Sequence, residues 1–451
     1  MARRRTRRSS LCRSPPSPRR ARRRALKRGD AQISILVTRA HESLRSLCDA
    51  LCRVQRPIRI IRSLAWDRSV HERFLLKRGT ELPQPSYPPL GFDPAKTLRE
   101  LKDLRKRIRG ENGAEGLLRG VCDQTMAAVR LLASRGTKDF YRHSVELFGH
   151  PRDEFAESSN EDLENLEIAR YWASRPRARK ERATLDAEQC AARIRAIVRP
   201  ILGESCEVKL SSGLAAFAAA GPRSIAVRAD AKFTPRQARA LAHHEGLWHV
   251  LTARNGAAQP ILSVLSSGLR GYTESQEGGG IVSEYLTGNV TNDRFIELAE
   301  RTLAIDRAAR GADYLDVWRD LASRWGEEKA CHLAERVFRG GVLTGGAPFT
   351  KDAVYQRGYC RVYNFLRAAL DRSDEDLVLA FFAGKMSVDD APTIRALMHE
   401  GIVARPKFVP EWWRRRDPLL AQMTHSVTLN RFSMMGVKEF YAERHRSAAS
   451  R

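Results

Sequence analysis

The sequence predicts an α+β fold that is mostly helical, with one small antiparallel sheet. Before residue 200, most of the chain has apolar residues at helical spacing. From Glu207 to Arg228 the pattern changes to short, partly alternating segments bounded by Gly and Pro, which is typical of strands. Directly after them, the segment from Thr234 to Gly256 has the start and stop signals of a single helix.

The composition is that of a folded protein: 451 residues, 42% of them apolar and 7% aromatic. No run approaches the roughly 18 uncharged apolar residues of a membrane span, which excludes an integral membrane protein. We expect four segments. They are a disordered Arg-rich tail over 1–30, a helical extension over 31–80, a main domain over 81–420 and a helical tail over 421–451.

The net charge of +26 is concentrated near the N-terminus, because residues 1–30 hold twelve Arg, one Lys and one Asp, which leaves +14 for the rest. Such a tail can bind nucleic acid through phosphates, but it has no aromatic residues for base stacking. An organellar transit peptide is a second alternative, although Pro15, Pro16 and Pro18 interrupt any amphipathic helix. We favour a disordered extension, or an upstream start codon included in the reading frame.

The eight cysteines are scattered, without the spacing of a zinc finger or the density of a disulfide framework. No hydrophobic signal sequence follows the basic tail. We therefore expect reduced thiols in a cytoplasmic protein.

The helical part divides at Pro-rich and Gly-rich stretches. Residues 31–76 predict one or two surface helices, and the Pro-rich stretch 82–94 is expected to be extended. Apolar spacing then predicts two helices between 94 and 149, and residues 159–200 are charged and helical. Helices from about 372 to 445 would close the domain, with Trp412–Arg416 as a packed helix end whose arginines reach solvent.

Three short segments predict the sheet: 207–210, 214–219 and 224–228. They lie directly before the helix that carries the most informative residues. In that helix Thr234 and Gln237 form a capping box, and Asn255-Gly256 is a typical end.

Within this helix lies His243-His244-Glu245-Gly246-Leu247-Trp248-His249. In the commonest zinc-peptidase pattern, two histidines four residues apart lie about 40° apart on the helix and reach one metal. His244 and His249 are five apart, which places them roughly 140° apart on an ideal helix. A π-type turn would bring them together, and Gly246 favours one because it lacks a Cβ. The alternative is two ordinary histidines on a buried helix, and His243 is interpreted as a packing residue.

A third ligand would come from Glu277. The sequence Thr273–Gln276 predicts a second capping box, which would place Glu277 in the first turn of a helix. The next three residues, 278–280, are all glycine, which indicates close backbone approach to another helix. Glu277 could complete a His2Glu site with water in the fourth position. Alternatively it is a solvated acid that stabilises the helix dipole.

Over about residues 80–415 the sequence resembles the QEGLA-motif proteins, bacterial proteins labelled flavohaemoglobin-expression-modulating, which are related to the eukaryotic microtubule-associated tyrosine carboxypeptidases. Ordered motifs carry the resemblance: His243–His249, Val250-Leu251-Thr252, Asn255-Gly256, Gln259-Pro260, Ser266–Leu269, Gly271-Tyr272, Gln276-Glu277-Gly278, Arg339-Gly340-Gly341, Phe349–Tyr355 and Gly358. The chain departs from the usual motifs at Gly246-Leu247-Trp248 and at Gly279-Gly280.

The resemblance implies a zincin-like HExxxH metallopeptidase domain that binds Zn²⁺ through His244, His249 and Glu277, with Glu245 as general base. Its five-residue spacing between histidines is the family's own. The implied activity is that of a carboxypeptidase acting on the C-terminus of a protein or peptide, and the eukaryotic relatives release tyrosine.

A carboxypeptidase also needs a cation for the terminal carboxylate and a donor for the oxyanion. Arg339 and Lys351 are candidates for the cation and Tyr355 for the donor. Arg339 could instead cap a helix, and Lys351 could be an exposed turn residue. Two other functions remain open: a catalytically silent regulatory protein with the peptidase fold, and a nucleic-acid-binding protein that uses the tail.

Overall fold

The computed structural model describes residues 39–158, 163–178, 181–214 and 216–449. The predicted Arg-rich tail over 1–30 lies outside these residues. The described chain is mostly helical with one small sheet, which confirms the predicted α+β class. Among the described helices, none has the length and apolar character needed to cross a membrane.

The described chain before the sheet is helical, as predicted. Its helices are α1 (39–55), α2 (Ile60–Ser63), α3 (Arg68–Leu76), α4 (Pro94–Arg107), α5 (Gly113–Ala133), α6 (Asp139–Phe148), α7 (Asn165–Ala173) and α8 (Ala187–Leu202). Residues 82–93 contain no helix or strand, as the prolines predict.

Four details of this region differ from the prediction. Residues 39–76 form three helices instead of one or two, and residues 174–178 and 181–186 contain no helix although 159–200 is predicted to be helical. The first helix is not a surface helix, because Leu47 and Leu51 are buried in the largest apolar core. Residues 94–149 form three helices instead of two. The additional break lies at Gly136, whose φ of +76° allows the chain to turn between α5 and α6.

The sheet has three strands, β1 (Glu207–Ser211), β2 (Ala218–Ala220) and β3 (Ser224–Arg228), in the order β1-β3-β2. The prediction of a small sheet before the long helix is confirmed, but the sheet is mixed and not purely antiparallel. β2 pairs antiparallel with β3 across a tight turn, whereas β1 pairs parallel with β3. The chain reverses direction twice between β1 and β3, so these two strands run the same way.

The helix after the sheet runs from α9 (Pro235–Leu241) through a π-helical segment (Ala242–Val250) into α10 (Leu251–Ala257). The predicted capping box is present: Gln237 N donates to Thr234 Oγ1 at 3.1 Å, and Thr234 N donates to Gln237 Oε1 at 2.9 Å. The helix ends at Ala257, one residue after the predicted stop at Asn255-Gly256. A Cβ on Gly256 would lie 2.3 Å from the Leu265 backbone, so this glycine also allows close packing.

The remaining chain is again helical, as predicted for its last part. Its α-helices are α11 (Tyr272–Leu286), α12 (Asn292–Ala309), α13 (Tyr314–Trp325), α14 (Glu327–Phe338), α15 (Ala353–Asp371), α16 (Glu375–Phe381), α17 (Ala391–His399), α18 (Glu411–Arg414), α19 (Arg416–Leu429) and α20 (Met434–Ala449). Trp412 and Trp413 are buried and the arginines that follow are exposed, as expected.

The π-helical segment lies between two apolar cores. Leu247 and Val250 pack with α8 and the sheet, whereas Trp248 packs into the largest core against Phe381 and Phe382. Because both sides of the segment are buried, its irregular geometry is held by packing.

Candidate metal centre

Two histidines of the π-helical segment and one glutamate of α11 point at a common centre. Glu277 Oε2 lies 3.8 Å from His244 Nε2 and 3.8 Å from His249 Nε2. One ligand atom from each of the three residues lies within 4.8 Å of the others. The three side chains are largely buried, with exposed fractions of 6% for His244 and 15% for the other two. This arrangement is compatible with a bound metal ion.

The π-helical geometry accounts for the five-residue spacing. The imidazole rings of His244 and His249 lie with their centroids 4.9 Å apart, which an ideal α-helix would not allow. The predicted distortion is therefore present. Gly246 also allows the π-helical segment to pack closely against α8, because a Cβ at this position would lie 2.4 Å from Val198 Cγ1.

The start of α11 differs from the prediction. The helix begins at Tyr272, after Gly271 in a left-handed conformation with φ of +73°, and no side chain caps it. The capping box proposed at Thr273 is therefore wrong, since Thr273 already lies inside the helix. Glu277 consequently lies in the second turn, beyond the backbone N–H groups that a first-turn acid would stabilise.

The run of glycines after Glu277 allows the close approach that the sequence predicts. A Cβ on Gly278 would lie 2.1 Å from the backbone of Gly358, where α11 meets α15. A Cβ on Gly280 would lie 2.5 Å from the His244 ring. The imidazole of His244 therefore rests directly on the backbone of α11.

Trp248 on the π-helical segment and Gly279 on α11 share the same space. A Cβ on Gly279 would lie only 2.0 Å from Cζ2 of Trp248, whose ring is fully buried. The large ring of Trp248 on the π-helical segment thus fits only because Gly279 on α11 has no side chain.

We expect Gly279→Ala to destabilise the protein by about 1–3 kcal/mol through overpacking, although alanine is otherwise the better helix former. In a Trp248→Leu background, the same substitution should cost less, because the ring no longer fills the space. Denaturant unfolding of the unmodified protein, the two single variants and the double variant gives the coupling energy between Trp248 and Gly279. Gly436→Ala in the exposed helix α20, where the new methyl group meets only ordinary contacts, is the control. Equal costs in both backgrounds would contradict the pairing.

Other side chains fix the orientation of the two imidazoles. His244 Nδ1 lies 2.7 Å from Glu284 Oε1, and His249 Nδ1 lies 3.2 Å from Gln276 Oε1. Thr252 Oγ1 also donates to Gln276 Oε1 at 3.0 Å. When a metal ion replaces the proton on Nε2, a ring that donates Nδ1–H to such an acceptor keeps the Nε2 lone pair directed at the common centre.

The electrostatics of the centre favour positive charge. Burial alone would lower the pKa of His244, but the carboxylates of Glu277 and Glu284 raise it to about 10. Burial opposes ionisation of Glu277, yet the Lys351 ammonium and the two histidines hold its pKa well below the usual range. Two ionised carboxylates in a buried site stabilise a cation bound between the imidazoles.

Lys351 is not an exposed turn residue. Its side chain is 10% exposed and lies in a short helical turn over Thr350–Asp352. Lys351 Nζ donates to Glu277 Oε1 at 2.7 Å and to the Tyr355 hydroxyl at 3.3 Å. Lys351 and Tyr355 are thus brought to the metal-ligand candidates, as the sequence-based assignment requires.

Arg339 lies apart from the candidate ligands. It is buried at the C-terminal end of α14, with its guanidinium carbon 5.5 Å from the centroid of the Phe349 ring. None of the contacts in the described chain joins it to the three ligand candidates. Arg339 therefore occupies the end of a helix, which is the alternative that the sequence left open for it. Its Nε has no hydrogen-bond partner among the described residues.

Glu245 and His243 flank the first ligand candidate. Glu245 is half-buried, and within the described residues its carboxylate accepts no hydrogen bond and forms no ion pair. His243 is buried and lies outside the three-residue group. Burial lowers the pKa of His243, which keeps the ring neutral as expected of a packing residue.

A cleft of about 760 Å³ opens close to this centre. Thr273, in its lining, lies four residues before Glu277 on α11, and Ala253, also in its lining, lies four residues after His249. Residues four apart share a helix face, so the cleft comes within one turn of both ligand candidates. Among the described residues no acid lines it, whereas seven basic residues do: Arg53, Arg56, Arg59, Arg223, Arg254, Lys385 and Lys407.

Lys385 is a candidate functional residue that the sequence interpretation missed. It lies in the loop after α16, where its backbone pairs with Leu265 and Leu269 at 2.8 and 3.0 Å. Its ammonium group forms no ion pair with any residue in the described ranges. Burial lowers the pKa of Lys385, and the nearby Glu277 carboxylate opposes this effect. Its position in a loop far along the chain from Glu277 gives no sequence signal.

Glu284 is the other missed residue, and here a signal existed. It lies seven residues after Glu277 on α11, two turns along the same helix face. A second carboxylate on that face could have been expected to meet the same histidines.

Comparison with known proteins gives one family. Residues 72–431 match the family model described as microtubule-associated tyrosine carboxypeptidase. A search of curated proteins gives no match.

Proposed function

This chain belongs to the microtubule-associated tyrosine carboxypeptidase family, and from that premise we propose that it is a zinc-dependent carboxypeptidase that removes a residue from the C-terminus of a protein or peptide. One observation carries the proposal: His244, His249 and Glu277 converge, and beside them lies Glu245, whose carboxylate has no partner among the described residues.

We also propose a cytoplasmic location. The seven described cysteines are all free thiols, which supports it.

The donor set supports zinc as the metal. Two imidazole nitrogens and one carboxylate oxygen are a common ligand set of catalytic zinc sites, which keep a fourth position open. Zinc–ligand bonds of about 2.0–2.1 Å in a tetrahedron place the donors roughly 3.4 Å apart. The separations of 3.8 Å between Glu277 and each histidine need only small side-chain rotations to reach that value.

When bound, zinc would polarise the scissile carbonyl and lower the pKa of water towards about 7. Glu245 would take the proton from the attacking water and pass it to the leaving amine. Its carboxylate is available for this role, because no described side chain competes for it. The Tyr355 hydroxyl would donate a hydrogen bond to the developing oxyanion, and Lys351 would hold that hydroxyl in place at 3.3 Å.

Three cations are candidates for the substrate's terminal carboxylate: Lys351, Arg339 and Lys385. Lys351 contacts the Glu277 carboxylate, so part of its charge is already neutralised. Lys385 has no such partner among the described residues and lines the cleft. The structure therefore supports Lys385 as the strongest of the three.

Amidation of a substrate's C-terminus is expected to slow cleavage at least tenfold. The amide cannot make the charge-assisted contact, which contributes about 1.5–3 kcal/mol when the cation is partly buried. Steady-state rates for paired free and amidated peptides measure this effect. The preference should disappear on substitution of the responsible cation by alanine, in Lys385→Ala, Lys351→Ala or Arg339→Ala. Equal cleavage of the two peptides by the unmodified protein would contradict a carboxypeptidase.

The basic cleft supports a substrate whose residues before the cleaved bond are acidic. We expect Arg56→Glu and Arg59→Glu each to raise KM for an acidic peptide roughly tenfold, with kcat little changed, because the charges act on binding and not on the reacting bond. The effect should shrink with added salt. Arg107→Glu, an exposed arginine of α4 that does not line the cleft, is the charge-matched control. A similar KM increase in the control would contradict the role of the cleft.

A further inference from the structure

We propose that His71, His332 and Glu335 form a second binding site for a divalent transition-metal ion, with Zn²⁺ or Co²⁺ as the ions best suited to its donors. The site shares no residue with the candidate catalytic centre, and the proposal does not depend on the peptidase activity.

Two helices supply the donors. His71 lies on α3, and His332 and Glu335 lie three residues apart on α14. Residues three apart share a helix face, so both side chains of α14 point towards α3. A metal ion here would join the N-terminal part of the described chain to α14, which lies more than 250 residues later.

The geometry is that of ligands around a common point. One donor atom from each residue lies within 4.8 Å of the others. His71 Nε2 lies 3.2 Å from Glu335 Oε2, and the two imidazole centroids are 4.8 Å apart with the rings at 79° to each other. The side chains of His71 and Glu335 are only 12% and 6% exposed.

The ion pair between His71 and Glu335 accounts for only part of this cluster. His71 Nε2 lies within ion-pair distance of Glu335 Oε2, but it is buried and lacks the alignment of a regular hydrogen bond. Nδ1 of His332 is buried without any hydrogen-bond partner among the described residues. An unpartnered buried nitrogen costs free energy, and a shared metal ion would accept a lone pair that the neighbouring carboxylate cannot.

The surroundings resemble those of protein metal sites. The backbone N–H of Trp66 lies 3.5 Å from Glu335 Oε1 and holds the carboxylate that faces His71. The indole of Trp66 packs against the His71 ring and against Tyr314, which gives the donors an apolar shell. Orienting contacts and an apolar shell are the features that strengthen metal binding. Two imidazoles and one carboxylate favour Zn²⁺ or Co²⁺ over Mg²⁺ and Ca²⁺.

Metal counting tests the proposal. The full chain is equilibrated with Zn²⁺ and dialysed against metal-free buffer, and its zinc content per chain is measured by inductively coupled plasma mass spectrometry. We expect about two zinc ions per chain in the unmodified protein, one in His332→Ala, one in His244→Ala and none in the double variant. His399→Ala, which removes an exposed histidine outside both clusters, should retain both ions. An unchanged zinc content in His332→Ala would overturn the proposal.

A second measurement covers the case in which His332→Ala does not fold. The His244→Ala variant, in which only the proposed site remains, is titrated with Co²⁺, and the visible absorption of the bound ion is recorded. Saturation at one equivalent, with loss of the signal in His244→Ala/Glu335→Gln, would support the site. No binding by His244→Ala, or unchanged binding after Glu335→Gln, would overturn it.

Discussion

Glu245→Gln is expected to lower the rate of peptide hydrolysis by a factor on the order of 100 or more while the catalytic zinc stays bound. The amide has the size of the carboxylate but cannot accept the proton of the attacking water. Because Glu245 is not among the converging donor atoms, its substitution removes no ligand. Hydrolysis of a peptide and the zinc content of the same preparation are measured together.

The matched control for this experiment is Glu274→Gln on α11, which makes the same change from carboxylate to amide close to the centre. Glu274 forms ion pairs with Arg357 and Arg361, its side chain is 12% exposed, and it has no proposed role in proton transfer. This variant should keep most of the activity, and its thermal unfolding shows whether the fold is intact. Loss of zinc in Glu245→Gln, or full activity without this carboxylate, would contradict its role as the base.

The second large effect concerns the metal. His244→Ala or His249→Ala is expected to remove most of the zinc from the candidate catalytic centre and, with it, the hydrolysis, because two remaining donors hold the ion weakly. Elemental analysis counts the ions, and the use of a His332→Ala background removes the ion expected at the second site. Full metal retention by both variants would show that these histidines are not ligands.

A variant of a residue that only orients a ligand should have a smaller effect on zinc binding than removal of the ligand itself. Glu284 accepts a hydrogen bond from His244 at 2.7 Å but is not one of the converging donors. Glu284→Gln should therefore weaken zinc binding by only about 10–100-fold, less than removal of a ligand. A Glu284→Gln protein that binds zinc no better than His244→Ala would contradict this division between ligand and orienting residue.

The main features of the fold and of the candidate metal centre could be predicted from the sequence because they depend on local patterns. The capping box at Thr234 begins the helix where expected, and the five-residue spacing of His244 and His249 required the π-helical turn that the structure contains. The three glycines after Glu277 indicated close helix approach for a similarly local reason, since a missing side chain leaves room for a neighbour.

The errors come from features that depend on the rest of the chain. Strand order is set by tertiary pairing, so β1 lies parallel to β3 although the local pattern suggested a purely antiparallel sheet. Thr273–Gln276 has the residue pattern of a capping box, but the helix already begins at Tyr272, after Gly271. Lys385 reaches the cleft from a distant loop, and no local pattern predicts such a placement.

The most direct measurement of the central claim is mass spectrometry of a C-terminal peptide library after incubation with the zinc-loaded protein. The account predicts products shorter by a single C-terminal residue, formed fastest from acidic peptides with a free carboxylate and absent with Glu245→Gln. A catalytically silent protein would bind zinc and leave every peptide intact. Intact peptides, or internal cleavage that ignores the free C-terminus, would contradict the proposed carboxypeptidase.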